Sequence, residues 1–197
     1  AMGGDIVSLE NGVTGEAKPR DFFFREPSTV GAALLSGCHN IAEARRLDAY
    51  HALVPAWGAV FVFAGKKAAA EQKGWEKLPE DLAAIGIREE DFRRELPEDA
   101  AFGEYRCFTI HVERIEEELQ NWKVWFTAGR LSKRRNFAGK ASGESASSEN
   151  GQGTDEKSGL FLWKISRREI SREEIRGIRR LYIKNRQIMC LSDSKRG

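Results

Sequence analysis

The stretch ALLSGCHNIAEARRLDAY, Ala33 to Tyr50, decides how this sequence is interpreted as a fold. A short apolar run ends at Ser-Gly-Cys-His-Asn (36–40), and a helical pattern follows it. We therefore predict a strand, a tight turn and then a helix over 40–54. Four apolar residues at helical spacing support that helix: Ala44, Leu47, Tyr50 and Val54.

The predicted turn has two chemical interpretations. Free N–H groups at a helix N-terminus favour an anion such as phosphate, and Gly37 would let the backbone approach it. His39 could then move a proton, and an exposed Cys38 would have a lowered pKa. The competing interpretation is an ordinary tight turn with a buried thiol.

The rest of the chain predicts one α+β domain over residues 1–197. Strands are expected at 22–24, 30–35, 58–65, 103–115, 123–131 and 159–166, and helices at 79–96 and 171–184. The second helix starts with a capping box, Ser171 and Glu174. Residues 138–159 include five Gly and five Ser without Leu, Ile, Val or an aromatic residue, which predicts a long flexible loop. The expected architecture is a mixed sheet with flanking helices.

Composition limits the function classes. The 197 residues carry a net charge of +2, but residues 121–140 hold six bases and no acid, and residues 76–99 hold nine acids against four bases. Three scattered cysteines predict a reducing, cytoplasmic setting rather than a disulfide framework. No apolar run reaches the roughly 20 residues that cross a bilayer, so no transmembrane segment is expected. No CxxC or HExxH motif occurs, and no resident metal site is predicted.

A basic, aromatic stretch, NWKVWFTAGRLSKRRNFAGK (121–140), suggests contact with DNA. The basic side chains would neutralise phosphates, and the tryptophans and phenylalanines could stack on unpaired nucleotide bases. The alternative is a strand with core aromatics followed by a solvated basic loop. The candidate nucleic-acid-binding residues are Lys123, Arg130, Lys133, Arg134, Arg135 and Lys140.

The acidic stretch REEDFRRELPED (88–99) predicts a solvated helix face with Glu–Arg pairs four residues apart, such as Glu89–Arg93. Its carboxylates could instead hold a divalent ion. We expect Cys107 and Cys190 to be buried thiols, and His51 and His111 to be structural.

SGCHNIAEARRL resembles the phosphate-binding turn of the ParB/sulfiredoxin superfamily, in which sulfiredoxins carry Gly-Cys-His-Arg between a β-hairpin and a helix. The preceding PRDFFFREPSTVGAALLSGCHN is similar to that hairpin, so the likeness covers Pro19 to about Val54. The superfamily arginine after His is Asn40 here, and Arg45 or Arg46 would have to replace it. LFLWKISRREISREEIRGIRRLYIKN resembles the strand and helix that normally precede the hairpin. The resemblance implies ATP binding by Ser36, Gly37, Cys38, His39, Asn40 and Arg45, with His39 and Cys38 catalytic.

Within that superfamily the chain is most similar to plasmid fertility-inhibition proteins of the Osa type. The resemblance implies a cytoplasmic protein, recruited to the inner face of the membrane by a type IV secretion or coupling ATPase, that blocks conjugative or T-DNA transfer. It also implies ATP hydrolysis and DNA cleavage, with a divalent cation such as Mg²⁺ supplying charge. Two alternatives stay open: a non-catalytic protein that docks on a secretion or partition ATPase, and a sulfiredoxin-like reductase that uses Cys38.

Overall fold

The computed structural model describes residues 4–7, 9–10, 12–14, 17–63, 77–101, 103–129 and 159–193. The described part is sheet-rich, with short helices. The helices are α1 (Arg20–Arg25), α2 (Val30–Leu35) and α3 (Arg172–Gly177). The strands are β1 (Asp5–Ile6), β2 (Leu9–Glu10), β3 (Val13–Thr14), β4 (Lys18–Pro19), β5 (Asn40–Glu43), β6 (Arg45–Arg46), β7 (His51–Val54), β8 (Ala59–Val62), β9 (Leu82–Ile87), β10 (Tyr105–Glu117), β11 (Asn121–Ala128), β12 (Leu160–Ser166), β13 (Arg180–Lys184) and β14 (Met189–Ser192).

The long antiparallel strands form the centre of the fold. A four-stranded sheet has the order β12-β11-β10-β13, so β12 is an edge strand. A three-stranded sheet has the order β14-β9-β5, and a meander joins β6, β7 and β8. The predicted strands at 58–65, 103–115, 123–131 and 159–166 are confirmed as β8, β10, β11 and β12.

The predicted hairpin before the turn is wrong, because both of its strands are helices. In α2 the Thr29 hydroxyl accepts a hydrogen bond from the N–H of Ala32 and caps the helix N-terminus. Ala and Leu favour the helix, and a short apolar run does not by itself distinguish a strand from a buried helix. Ala33 is fully buried, whereas Leu35 remains exposed.

The predicted helix over 40–54 is also wrong. Asn40–Glu43 pairs antiparallel with β9, and the remaining residues form β6, a turn and β7. The Asp48 carboxylate accepts hydrogen bonds from the backbone N–H groups of Tyr50 and His51 and fixes that turn. The pairing of β5 with β9 and of β6 with β7 therefore overrides the local helical pattern.

The two other predicted helices are corrected in part. Residues 79–96 contain the buried strand β9 and a 3₁₀ turn at Glu89–Asp91. The capping box at Ser171 is confirmed, but α3 ends at Gly177 and the chain continues into β13, which pairs with β10. The loop predicted at 138–159 lies outside the described residues except for Gly159.

An aromatic core fills the space between the sheets. Phe126 and Phe161 stack with ring centroids 5.3 Å apart, and Phe92 meets both rings edge-on. A smaller apolar cluster beneath α2 contains Ala33, Cys38, Ala84 and Leu191. The Cys-His turn therefore lies where α2 meets β5 and β9.

Candidate functional site

The Cys-His turn (36–40) joins a helix to a strand, which is the reverse of the predicted order. Gly37 has φ of +85°, a left-handed conformation that glycine adopts without strain. Because β5 rather than a helix follows the turn, no helix N-terminus is available at this position to bind an anion. The dipole argument for phosphate binding at this turn is therefore wrong.

The backbone N–H groups of the turn already donate inside the protein. Those of Ser36, Gly37 and Cys38 donate to carbonyl groups of α2 at 2.9, 3.0 and 3.1 Å. The N–H of His39 donates to the Glu89 carboxylate at 2.7 Å. An anionic carboxylate thus occupies the position in which a phosphate would be bound, and the turn does not fit the phosphates of ATP.

Asn40 ties two sheets together. Its side-chain amide donates to the carbonyl groups of Leu162 at 2.8 Å and Ile87 at 3.1 Å, and its Oδ1 accepts from the N–H of Leu162 at 2.6 Å. The amide therefore pairs with edge strand β12 as another strand would. Asn40 is 4% exposed, so it is a structural residue rather than a phosphate contact.

Cys38 is buried beneath the turn, with 1% of its surface exposed. Burial, reinforced by the Glu89 charge, raises the pKa of the thiol to about 11. Its Sγ donates to the Ile87 carbonyl at 3.3 Å. A thiol in this state is neither accessible nor ionised at neutral pH, so the structure argues against Cys38 as a nucleophile.

His39 and Glu89 form the chemically most distinctive pair of the turn. His39 Nδ1 lies 2.7 Å from Glu89 Oε1, while the histidine side chain is 70% exposed and the glutamate side chain is only 7% exposed. An ionised carboxylate can only accept hydrogen bonds, so Nδ1 carries the proton. Nε2 is then the basic nitrogen, and the hydrogen bond from Nδ1 to the buried Glu89 fixes the orientation of the exposed ring.

Burial of the carboxylate separates this pair from the other two histidine pairs in the described residues. His51 contacts Asp48, whose side chain is 56% exposed, and His111 contacts Glu113, whose side chain is 44% exposed. Water competes for both of those carboxylates. Glu89 is held by two donors from one residue, which gives His39 a defined geometry.

Two arginines near the turn have different surroundings. The Arg88 guanidinium donates to the Ser36 carbonyl at 3.5 Å, to the Ser36 hydroxyl at 3.3 Å and to the Phe24 carbonyl, and so joins the turn to α1. Arg45 lies exposed on β6 with its Nε 4.0 Å from Glu43.

Lys123 and Lys164 lie beside this site because of the Asn40–Leu162 contact. Lys164 is two residues beyond Leu162 on β12, and Lys123 is its partner on β11. Both ammonium groups contact Glu118, at 2.6 and 3.5 Å. The hydrogen bond to Glu118 raises the pKa of Lys123, with a smaller contribution from the Glu89 charge. Lys123, a predicted nucleic-acid-binding residue, is therefore close enough to Glu89 at the Cys-His turn for the two charges to interact.

The rest of the basic, aromatic stretch is described only in part. Arg130, Lys133, Arg134, Arg135 and Lys140 lie outside the described residues. Trp122 and Phe126 are buried, and the Trp122 indole donates to the Ile170 carbonyl, so neither is available to stack on a base. The expectation of stacking by those two aromatics is wrong.

The acidic stretch is not a solvated helix face. Glu89 is buried against His39, and Asp91 accepts a hydrogen bond from Gln187 at 2.5 Å. Within the part of the chain that the structure describes, no three His, Cys, Asp or Glu side chains are grouped to hold a metal. The described residues also contain no helix long and apolar enough to cross a membrane. Cys107, expected to be buried, is exposed.

Sequence reasoning missed Glu89 as the partner of His39. The two residues are 50 positions apart, and Glu89 looked like one of several surface acids. A local signal is its place two residues after the end of the apolar strand β9. Comparison with known proteins adds no assignment: no family model, no curated protein and no solved structure matches this chain.

Proposed function

We propose that this chain is a DNA-binding phosphodiester hydrolase in which His39 is the general base. The observation that carries the proposal is the 2.7 Å contact between the exposed His39 ring and the buried Glu89 carboxylate. A carboxylate at Nδ1 fixes the tautomer and the orientation of an imidazole and stabilises its protonated form. That arrangement suits a base that takes a proton at Nε2.

In the proposed reaction, Nε2 of His39 accepts a proton from water as the water oxygen bonds to phosphorus. The P–O bond to the ester oxygen then breaks, and the imidazolium gives its proton to that leaving oxygen, which returns His39 to its neutral form. The buried Glu89 offsets the transient positive charge on the ring. Lys123 and Lys164, which the Asn40–Leu162 contact brings towards this site, would attract the phosphate of the substrate.

No step of the proposed reaction passes through bound ATP or a bound cation. The amides of 36–39 do not fit a nucleotide phosphate cradle, and in the described residues no three His, Cys, Asp or Glu side chains are grouped to hold a metal. ATP hydrolysis and a divalent cation remain predictions from the family resemblance. They are tested with the same variants, in assays run with and without Mg²⁺.

The test is a plasmid-nicking assay with the purified full chain and three variants, at His39, His51 and Glu89. His39→Ala should lower the nicking rate by 10²-fold or more, a typical contribution of a general base. His51→Ala is the matched control, because it removes an exposed histidine–carboxylate pair elsewhere and should leave the rate within twofold. Glu89→Gln should shift the pH profile of the rate rather than only reduce its maximum.

Two results would overturn the hydrolase proposal. One is an inactive wild-type protein under all metal conditions. The other is a nicking rate that His39→Ala and His51→Ala change equally, since that would trace the activity to something other than this site. Thermal melting of each variant shows whether lost activity reflects lost structure.

We propose, on the resemblance alone, that the biological setting is inhibition of conjugative or T-DNA transfer through contact with a secretion or coupling ATPase. The second candidate, a non-catalytic docking protein, is favoured by the internal bonding of the amides of 36–39. A donor strain that expresses His39→Ala separates the two. Transfer that is still blocked supports docking, and restored transfer supports hydrolysis.

A further inference from the structure

An arginine-rich cleft lies between α3 and the middle of β10, and none of the site residues discussed above lines it. One wall is the run from His111 to Ile115, and the other is formed by Arg172, Arg176 and Arg179. The cleft has a volume of about 440 Å³, larger than a single phosphate group requires. We infer that it binds the phosphate backbone of nucleic acid.

The three arginines on the α3 side line the cleft without an ion-pair partner among the described residues. Arg172 and Arg176 are four residues apart on the same face of α3, and both are exposed. No carboxylate of the described residues lies within ion-pair distance of either guanidinium. Arg179 donates to the carbonyl groups of Arg176 and Ile178, which fixes it at the end of the helix.

The β10 wall adds a fourth arginine and one carboxylate. The strand has a register shift between Val112 and Arg114, so consecutive residues of this run reach the cleft. Arg114 is paired with Glu116 at 3.1 Å and lies over the Trp125 ring. Glu113 accepts from the Thr127 hydroxyl at 2.9 Å and contacts His111 at 3.3 Å. Positive charge therefore dominates the cleft.

The geometry of the cations favours a chain of phosphates. Side chains four residues apart on a helix are separated by roughly 5–6 Å at their β-carbons, which is similar to the spacing of neighbouring phosphates along a strand. Guanidinium groups bind phosphate oxygens through paired N–H groups. No Phe, Tyr or Trp of the described residues lines the cleft, so we expect binding to be independent of base sequence.

This inference does not depend on His39 chemistry, and its test is a binding measurement. Fluorescence anisotropy of labelled single-stranded and duplex oligonucleotides would compare the full chain with Arg172→Gln/Arg176→Gln. The matched control, Arg168→Gln/Arg186→Gln, removes two exposed arginines that do not line the cleft. The cleft variant should lose at least tenfold in affinity and reduce the salt slope by about two. The control should lose less than twofold.

Two outcomes would overturn the inference. Equal losses for the cleft and control variants would show that only the net charge matters. Binding of a poly-glutamate peptide that depends on Arg172 and Arg176, without oligonucleotide binding, would assign the cleft to an acidic protein partner. If the double variant melts at a lower temperature, the two single variants are measured instead, each with an expected slope reduction of about one.

Discussion

Replacing Asn40 with alanine should strongly destabilise the fold, because this amide joins two sheets. The change removes three hydrogen bonds and leaves the N–H and C=O groups of Leu162 without their side-chain partner. A buried polar group that loses its partner costs about 1–3 kcal/mol. Since the two groups share one site, we expect a combined loss of about 3 kcal/mol in the free energy of unfolding. That is a large share of the roughly 5–15 kcal/mol that stabilises a typical domain.

The assay is urea unfolding followed by tryptophan fluorescence. With a slope of about 2 kcal/mol per molar urea, the expected loss moves the midpoint by roughly 1.5 M. Asn185→Ala is the control, since it removes one exposed hydrogen bond from the side-chain amide to the Gly103 carbonyl. It should lower the free energy of unfolding by less than about 1 kcal/mol. A similar small loss for both variants would refute the structural role of Asn40.

Two further predictions concern pKa values. Burial, with a contribution from the Glu90 charge, raises the pKa of Asp91 to about 6 from 3.8, so wild-type stability falls as pH rises between those values. Asp91→Asn should therefore be more stable than the wild type in urea unfolding at pH 8, by about 1 kcal/mol in the free energy of unfolding, since water reaches part of the side chain. Below pH 4 the two proteins should be equally stable. Equal stability at pH 8 would contradict this prediction. Iodoacetamide at pH 8 should modify exposed Cys107 quickly but should not modify Cys38 and Cys190 until the protein unfolds. Burial raises the pKa values of those two thiols to about 11 and 12. Rapid labelling of Cys38 in the folded protein would contradict its burial.

Four of the strands could be predicted from local sequence patterns, most clearly β10 and β11. In β10 and β11, side chains alternate between core and surface, and β8 and β12 are short runs rich in apolar residues. The start of α3 was also predictable, because the bonds between Ser171 and Glu174 form within a single turn. These elements depend on residues that are close together in the sequence.

The region around the Cys-His turn could not be predicted in the same way. Residues 40–54 have a good helical pattern, but β5 is stabilised by pairing with β9, more than 40 residues away. From the sequence, Glu89 is one of several expected surface acids and Asn40 a residue of the phosphate-binding turn, but the fold buries both. A one-dimensional pattern carries no information about which distant backbone groups need a partner.

The sequence by itself determined where His39 and the concentrations of basic residues lie along the chain. Only the tertiary structure decided which partner each of them has. It placed a buried carboxylate under His39, used Asn40 to join two sheets, and aligned three arginines along a cleft. The physical reason is that burial and hydrogen bonding set the chemistry of a side chain, and both depend on contacts between residues far apart in the sequence.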